Sequence, residues 1–343
     1  MTEWAGTLLM VNATDLKLLQ LRKLNHLLNE VWERNPFYTG KWCRAGVGLH
    51  QLSSLDELAA FPFTTRAELV ADQDSKPPLG SNLTRPLACY RRFHGSSGTT
   101  RAPMLWADTP QSWGWVMHCS VSLFLIAGVK PGDRIVFALP FGPSSGPWIM
   151  YEGACRLSCA CFAAGHLEPG ELVKLLRPLS PTVLIARPPE LMRLTEAAEK
   201  TGIRPNRLGV GKIICPGAGV GNTRSQLERT WGVECFDRYG LTEAGSVAGE
   251  CLALGGMHVL ESDFIAEVIQ PRGESPVSDG EAGELVLTSL GRIGRPIIRY
   301  RTGDLVRLKR DHHCPCGRTE ALLPGGVQRL QEGLSPVARA ASL

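Results

Sequence analysis

The spacing of apolar residues differs between successive parts of the chain. Leucines recur at intervals of three and four residues over Asp15–Glu33, which predicts an amphipathic helix that ends before Asn35-Pro36. Ser53–Glu57 has the N-cap signature of a short helix, and Phe61–Thr65 precedes another with Glu68 in its first turn. Residues 1–85 are therefore predicted to be a helical part of a larger domain.

Residues 86–250 alternate between short apolar runs and stretches of helical composition. The runs are rich in β-branched residues, as the strands of a buried parallel sheet are. Gly170–Leu179 and Glu190–Thr201 separate them and are predicted helices. This alternation predicts a doubly wound α/β core. The predicted strands are Arg134–Leu139, Thr182–Ala186 and Lys212–Cys215.

In residues 251–321 the helical segments give way to alternating runs separated by turn clusters. The runs are Phe264–Ile269, Glu284–Thr288 and Leu305–Leu308. They predict a smaller antiparallel or barrel-like β part. The tail, residues 322–343, is rich in Ala, Gly, Ser and Pro, a composition typical of a partly disordered terminus.

Composition and charge exclude several classes of protein. The 343 residues are 43% hydrophobic and 20% charged, as in an ordinary globular protein, and the net charge of +4 is too small and dispersed for a nucleic-acid groove or a polybasic membrane patch. No apolar stretch approaches the roughly 20 residues that span a bilayer, and no signal peptide is recognised at the N-terminus. The odd number of 11 cysteines then favours reduced thiols and a cytoplasmic protein, in which a cysteine cluster is first a metal or catalytic candidate.

Three short motifs bear functional groups. Phe93–Pro103 (FHGSSGTTRAP) combines glycines and hydroxyls that can bring N–H and O–H groups close to a phosphate. Asp237–Glu243 (DRYGLTE) offers a ring for stacking on a purine, a threonine for a phosphate and a carboxylate for Mg²⁺. Arg299–Asp304 (RYRTGD) places a carboxylate after a glycine turn, where it can accept two ribose hydroxyls. Taken singly, the three also fit an ordinary loop, a capped strand end and a plain turn.

The order and spacing of the three motifs resemble the acyl-adenylate-forming superfamily, and more closely its phenylacetate–CoA ligase branch. The resemblance runs from about residue 20 to about residue 320. Further features of the branch are Asn35–Tyr38, Leu58–Thr65, Gly249–Cys251, His258, Glu261–Phe264, Gly283–Leu287 and Pro296–Asp304.

The resemblance implies a large α/β domain that binds ATP and a carboxylic acid, with an aromatic acid favoured. The acid carboxylate would attack the α-phosphorus of ATP with loss of pyrophosphate, giving an acyl-AMP. This reaction depends mainly on alignment and charge neutralisation. The acyl group would then pass to CoA, to a carrier-protein thiol or to an amine.

The resemblance also implies roles for individual residues. Thr242 is expected at the α-phosphate and Glu243 at Mg²⁺, and these two are the catalytic candidates. Phe141, Trp148 and Tyr151 are expected to line the acyl pocket. The residues expected at the nucleotide are Ser96, Ser97, Gly98, Thr99 and Thr100 on the β- and γ-phosphates, Tyr239 on adenine with Gly217, Ala218 and Gly240 beside it, and Asp304 on the ribose.

The chain departs from the family pattern at two places. Arg101 stands where the phosphate loop normally continues with glycine. After Asp304 nothing matches the family's hinge motif or its small C-terminal domain with a catalytic lysine, so we expect that domain to be absent. A separate protein could supply the lysine. Two other hypotheses are a non-catalytic protein that binds a nucleotide or acyl-adenylate, and a transferase that uses preformed acyl-AMP.

Cys314-Pro315-Cys316-Gly317 resembles half of a zinc knuckle. Similar positions in this ligase branch are associated with a structural zinc, which implies a ligand set of Cys251, His258, Cys314 and Cys316. His312 and His313 are substitutes within that set, and reduced thiols in a loop are the alternative. Four protein ligands would close the site, so no water-activating role is expected.

Overall fold

The computed structural model describes residues 13–96, 104–217 and 219–330. Its helices are α1 Ala13–Arg34, α2 Pro36–Arg44, α3 Arg66–Ser75, α4 Pro110–Ile126, α5 Ser145–Arg156, α6 Pro169–Leu179, α7 Pro188–Lys200 and α8 Arg224–Trp231. Its strands are β1 Arg92–Gly95, β2 Leu105–Asp108, β3 Arg134–Phe137, β4 Ala160–Ala163, β5 Val183–Ile185, β6 Lys212–Pro216, β7 Cys235–Leu241, β8 Gly245–Glu250, β9 Met257–Val259, β10 Phe264–Ile269, β11 Ala282–Ser289, β12 Tyr300–Arg307, β13 Leu322–Leu323 and β14 Gln328–Arg329.

The chain divides into two compact units. The first unit contains Met1–Val116, Thr242–Ala244 and His258–Leu343, and the second contains Met117–Leu241 and Gly245–Met257. Residues 13–85, which contain helices α1 to α3, and most of residues 251–321 therefore lie in the same unit.

The second unit is built on a sheet in which strands follow the order β8-β7-β6-β5-β3-β4. The neighbours from β4 to β7 pair in parallel, and β8 adds to β7 in the antiparallel sense. Helices α5, α6, α7 and α8 connect successive parallel strands, as right-handed crossovers require long connections. The predicted parallel α/β core is confirmed.

Alternation of side chains along these strands separates two hydrophobic cores. Val136, Leu184 and Ile213 pack with residues of α6, α7 and α8. Their neighbours Phe137 and Ile185 pack instead with residues of α4 and α5. Because successive strand residues point to opposite faces of a sheet, helices cover both faces. This arrangement confirms the doubly wound fold.

The first unit begins with helices whose ends follow the sequence signals. Asn35 caps α2 by accepting from the Tyr38 N–H at 3.2 Å, and Thr65 and Glu68 form a capping box that opens α3. Leucines of α1 pack against α2 and against residues of the 3₁₀-helix Leu55–Ala60. The predicted N-terminal helices are confirmed.

The β part of the first unit contains an antiparallel sheet in the order β10-β11-β12-β14, a β1–β2 hairpin, and hydrogen-bonded neighbours β9 and β13. Strands β13 and β14 lie within the segment 322–343 that sequence composition marked as a tail. Among the helices that the structure describes, none is both long enough and apolar enough for a membrane span.

Candidate active site

Ser96 extends the β1–β2 pairing by one step at the loop end of the hairpin. Its N–H donates to the Met104 carbonyl at 2.9 Å, and its Oγ accepts from the Met104 N–H at 3.0 Å. The remaining residues of the predicted phosphate loop lie outside the described residues. They are Ser97, Gly98, Thr99, Thr100 and the departing Arg101, and the same is true of Ala218.

Glu243 is held by two donors on one carboxylate oxygen. Arg66 Nη1 and the Tyr300 hydroxyl each donate to Glu243 Oε1 at 3.1 Å, while Arg66 Nη2 donates to Ser96 Oγ at 3.0 Å. Burial and the charge of Glu243 raise the pKa of Tyr300 well above its ordinary value, so this hydroxyl stays protonated and donates. The Arg66 guanidinium therefore contacts both Glu243, the predicted magnesium ligand, and Ser96, the first residue of the predicted phosphate loop.

Arg66 reaches this position because the chain just before it pairs with β12. The Thr64 N–H donates to the Arg299 carbonyl, and the Arg301 N–H donates to the Thr64 carbonyl, both at 2.8 Å. Tyr300 lies between these two partners in the sequence, so the bridge fixes the start of α3 beside it. Sequence reasoning recognised the Thr65 cap and overlooked the functional position of Arg66.

A buried ion pair supports the backbone at Thr242. Arg292 Nε and Nη2 donate to the two carboxylate oxygens of Asp108 at 2.8 and 2.6 Å, and Arg292 Nη1 donates to the Thr242 carbonyl at 2.7 Å. Both side chains of the pair are fully buried. A bidentate pair of this kind has fixed geometry, so Asp108 holds the Arg292 guanidinium in place. Arg292 in turn orients the Thr242-Glu243 peptide through its bond to the Thr242 carbonyl.

Asp304 lies in β12 and is also ion-paired. Arg329 Nη1 donates to Asp304 Oδ1 at 2.9 Å, and the same nitrogen donates to the Thr302 carbonyl at 2.9 Å. The pairing follows from the β12–β14 register, which sets Asp304 opposite Arg329. Sequence reasoning missed Arg329 because it stands in a stretch whose composition suggested a tail.

The second unit holds the candidates for the adenine end. Tyr239 is buried in β7, and the Gly217 N–H donates to the Arg238 carbonyl at 3.1 Å at the end of β6. A Cβ on Gly240 would lie 2.4 Å from the Gly245 carbonyl oxygen, so only glycine fits the tight β7–β8 turn. Gly217 has φ +101°, a conformation that favours glycine, with open space where a side chain would stand.

The three candidates for the acyl pocket form one aromatic group. Phe141 follows β3, while Trp148 and Tyr151 lie on α5. The ring centroid of Phe141 is 5.0 Å from that of Trp148 and 5.6 Å from that of Tyr151, both edge-on. Trp148 is fixed by donating to the Gly142 carbonyl at 2.9 Å. The group therefore offers a preformed aromatic wall.

Three of the four residues implied as zinc ligands come together in the first unit. Within the described residues of that unit, the ligand atoms of His258, Cys314 and Cys316 all lie within 4.8 Å of one another, while Cys251 belongs to the second unit. His258 Nδ1 faces the Glu320 carbonyl at 3.2 Å, which leaves Nε2 toward Cys316 Sγ at 3.4 Å. Burial lowers the pKa of His258, which favours the neutral imidazole that binds metals. His312 contacts the same carbonyl and is outside this group, while His313 is exposed.

The chain is similar to known proteins in sequence and to a solved protein in structure. No family profile matches the chain. The phenylacetate–CoA ligase of Aromatoleum evansii is 31% identical over 302 residues, which cover 86% of this chain and 67% of that protein. The phenylacetate–CoA ligase of Pseudomonas putida is 31% identical over 297 residues, which cover 84% of this chain and 66% of that protein. The chain thus spans about two thirds of the length of these relatives.

A solved structure agrees with the sequence relatives. The open conformation of 2-hydroxyisobutyryl-CoA ligase, in complex with 2-HIB-AMP and CoA, superposes with a TM-score of 0.87 at 26% identity and covers 94% of this chain and 72% of that one. The shared motifs, the sequence identity and this fold agree with one another. The chain belongs to the phenylacetate–CoA ligase family of adenylate-forming enzymes.

Proposed function

We propose that the protein uses ATP and Mg²⁺ to convert a carboxylic acid, with an aromatic acid favoured, into an acyl-adenylate and transfers the acyl group to CoA. The observation that carries this proposal is the Ser96–Arg66–Glu243–Tyr300 cluster. It joins the start of the phosphate loop to a buried carboxylate through one guanidinium. A scaffold protein would have no use for such a set.

The cluster suits a phosphate-bound cation. Among the described residues both donors to Glu243 fall on Oε1, which leaves Oε2 for a metal. Bound Mg²⁺ would neutralise phosphate charge. Arg66 supplies a second positive charge, fixed by its hydrogen bonds, and the buried Asp108–Arg292 pair holds Thr242 where an α-phosphate contact is proposed.

Other residues of the chain are proposed to bind the ribose, the adenine and the carboxylic acid. Asp304, paired with Arg329, would accept the ribose hydroxyls, and Tyr239 would stack on adenine beside Gly217 and Gly240. The aromatic group Phe141, Trp148 and Tyr151 would enclose the acid. A carrier-protein thiol and an amine are the alternative acyl acceptors, and an acyl-transfer assay distinguishes them from CoA.

ATP–pyrophosphate exchange over a panel of aryl and short acyl acids tests the adenylation step. We expect exchange with at least one acid, and a loss of about 100-fold or more in Glu243→Gln because the cation loses its anionic ligand. Glu190→Gln is the matched control, since Glu190 is a buried, arginine-paired carboxylate at the start of α7. Acyl transfer is then followed with CoA, an acyl-carrier protein or an amine.

Two results would overturn the proposal. One is the absence of exchange with every acid while ATP still raises the melting temperature, which would indicate a nucleotide-binding protein. The other is acyl transfer from synthetic acyl-AMP without exchange, which would indicate a transferase.

We also propose that Cys251, His258, Cys314 and Cys316 hold a structural zinc. Three sulfurs and one imidazole nitrogen are a common zinc ligand set, and the ligand atoms of a tetrahedral site lie roughly 3.5–4 Å apart. The spread of at most 4.8 Å among the ligand atoms of His258, Cys314 and Cys316 fits this with small side-chain shifts. Metal analysis of protein purified without added zinc should give about one zinc per chain. Cys316→Ser should lose it, whereas Cys89→Ser, at an exposed cysteine, should not.

A further inference from the structure

The second unit contains a buried arginine that the adenylation chemistry does not use. Arg238 lies in β7 directly before Tyr239 and is only 5% exposed. Because side chains alternate along a strand, Arg238 points to the face opposite Tyr239. There its guanidinium lies 4.5 Å from the centroid of the Phe124 ring of α4.

The hydrogen-bond partners of this guanidinium are neutral. Nη2 donates to Ser120 Oγ at 2.7 Å and to Ser246 Oγ at 2.8 Å. Nη1 is buried and has no hydrogen-bond partner, and no carboxylate pairs with Arg238 within the part of the chain that the structure describes. Burial lowers its pKa to about 9, so it still carries its charge at neutral pH.

A positive charge in this setting is costly to fold. Buried charges are ordinarily paired, because neither hydroxyls nor a ring face repays the loss of hydration. Neither the adjacent Asp237 nor Glu250 of the neighbouring strand β8 balances Arg238, since both pair with Arg224. No described carboxylate therefore balances the Arg238 guanidinium, and its Nη1 is left to donate to an anionic ligand.

The surroundings of Arg238 connect it to the aromatic wall. Ser120 Oγ, which accepts from Arg238, also donates to the Ile149 carbonyl at 3.0 Å, and Ile149 follows Trp148 on α5. Phe124, beneath the guanidinium, belongs to the same hydrophobic core as Phe141 and Tyr151. The Arg238 guanidinium is thus one hydrogen-bonded neighbour away from the helix that carries Trp148 and Tyr151.

We propose that Arg238 selects the substrate, by binding a second anionic group at the end of the acid remote from the carboxylate that is activated. A second carboxylate on an aromatic or short acyl acid is the simplest such group. This inference rests on the proposed function, because it assigns the acid pocket its substrate class. It makes Arg238 a specificity residue.

Direct binding tests the inference without relying on turnover. Wild type and Arg238→Met are titrated, by tryptophan fluorescence and calorimetry, with phenylacetate and with phenylacetates that bear a second carboxylate at the ortho, meta or para position. We expect wild type to bind at least one diacid about 10- to 100-fold more tightly than phenylacetate, the usual range for a hydrogen-bonded charge. Arg238→Met should lose that preference, and Arg238→Lys should retain part of it.

Two further variants guard against effects on folding. Ser246→Asp supplies an internal carboxylate beside the guanidinium, so it should abolish the preference while keeping the arginine. Arg295→Met makes the same change at another buried guanidinium, one that lies over Trp106 in the first unit, and should leave the preference unchanged.

Each outcome decides between the two proposals. Equal or weaker binding of every diacid by wild type, an unchanged preference in both Arg238→Met and Ser246→Asp, or no acid binding at all would overturn the role of Arg238. Arginine-dependent diacid binding without pyrophosphate exchange would keep that role and overturn adenylation. Pyrophosphate exchange with the same ratio of diacid to phenylacetate rates in wild type and Arg238→Met would keep adenylation and overturn the role of Arg238.

Discussion

Two buried arginines, one in each unit, have opposite surroundings. Arg292 in the first unit is fully buried and forms a bidentate pair with Asp108, which is also fully buried. Arg238 in the second unit is nearly as buried, yet it contacts two serine hydroxyls and an aromatic ring. One charge is balanced inside the fold and the other is not.

The difference distinguishes a structural charge from one kept for a ligand. A buried pair costs little net free energy when both partners are present, and removing one partner is expensive. An unpaired buried charge is expensive as it stands, and a ligand that brings a counter-charge would lower that cost. For Arg292 the fold itself supplies the counter-charge through the Asp108 carboxylate. For Arg238 we propose that the second anionic group of the substrate supplies it.

The largest expected effect is at the balanced pair. Asp108→Asn leaves the Arg292 charge buried without its counter-charge, so the free energy of unfolding should fall by about 3–5 kcal/mol. Pyrophosphate exchange should fall too, because Arg292 also holds the Thr242 carbonyl. Urea denaturation measures the first effect, and the exchange assay measures the second.

The double variant Asp108→Asn/Arg292→Met is the control for that prediction. Removing both charges should recover part of the lost stability, since no uncompensated charge remains. It should not recover exchange, because the donor to Thr242 is still missing. A loss of less than about 1 kcal/mol in Asp108→Asn would contradict the assignment of this pair as a structural charge.

A smaller effect is expected at the unbalanced arginine. Arg238→Met should change the free energy of unfolding by no more than about 1 kcal/mol, since it removes a desolvated charge along with its hydrogen bonds. Ser120 keeps its own bond to the Ile149 carbonyl. The measurement is the same urea series. A loss as large as that of Asp108→Asn would show that Arg238 is structural and would remove the contrast.

The fold was largely predictable from the sequence because local signals agree with it. The leucine spacing of α1, the Thr65–Glu68 capping box of α3 and the β-branched runs of β3, β5 and β6 each predict the element that forms. Strands β13 and β14 are two residues each and are held by pairing with distant strands. No periodicity can be read from two residues, so composition alone suggested a tail there.

The candidate site was predictable only where residues cluster in the sequence. Thr242, Glu243 and Asp304 stand in short motifs, whereas Arg66 is 177 residues from Glu243, and Asp108 is 184 residues from Arg292. Arg238 lies inside the motif Asp237–Glu243, yet the motif predicts no role for it. Its significance lies in a missing partner, and a sequence does not show which neighbours a side chain lacks.

The smallest expected effect concerns Arg224, whose imbalance is opposite to that of Arg238. This one guanidinium contacts both Asp237 and Glu250, at 3.0 and 2.7 Å. Burial raises the pKa of both carboxyls, so from the unfolded pKa of Glu250 near 4.5 upward the folded state holds more protons than the unfolded state. The contribution of these two carboxyls to the free energy of unfolding should therefore decrease as pH rises from 4.5 toward their folded pKa, and level off above it.

Glu250→Gln removes one of the two buried acids and with it part of this slope. The stability of Glu250→Gln relative to wild type should grow from pH 4.5 to 7.5 by about 1 kcal/mol or less. The effect is small because Arg224 and the Asp237 N–H donate to the Glu250 carboxylate and so limit the rise of its pKa. Asp237→Asn should shift the curve in the same direction. Urea denaturation at four pH values measures both. Parallel curves for wild type and both variants would mean that Arg224 already balances the two carboxylates, and the charge surplus opposite to Arg238 would not exist.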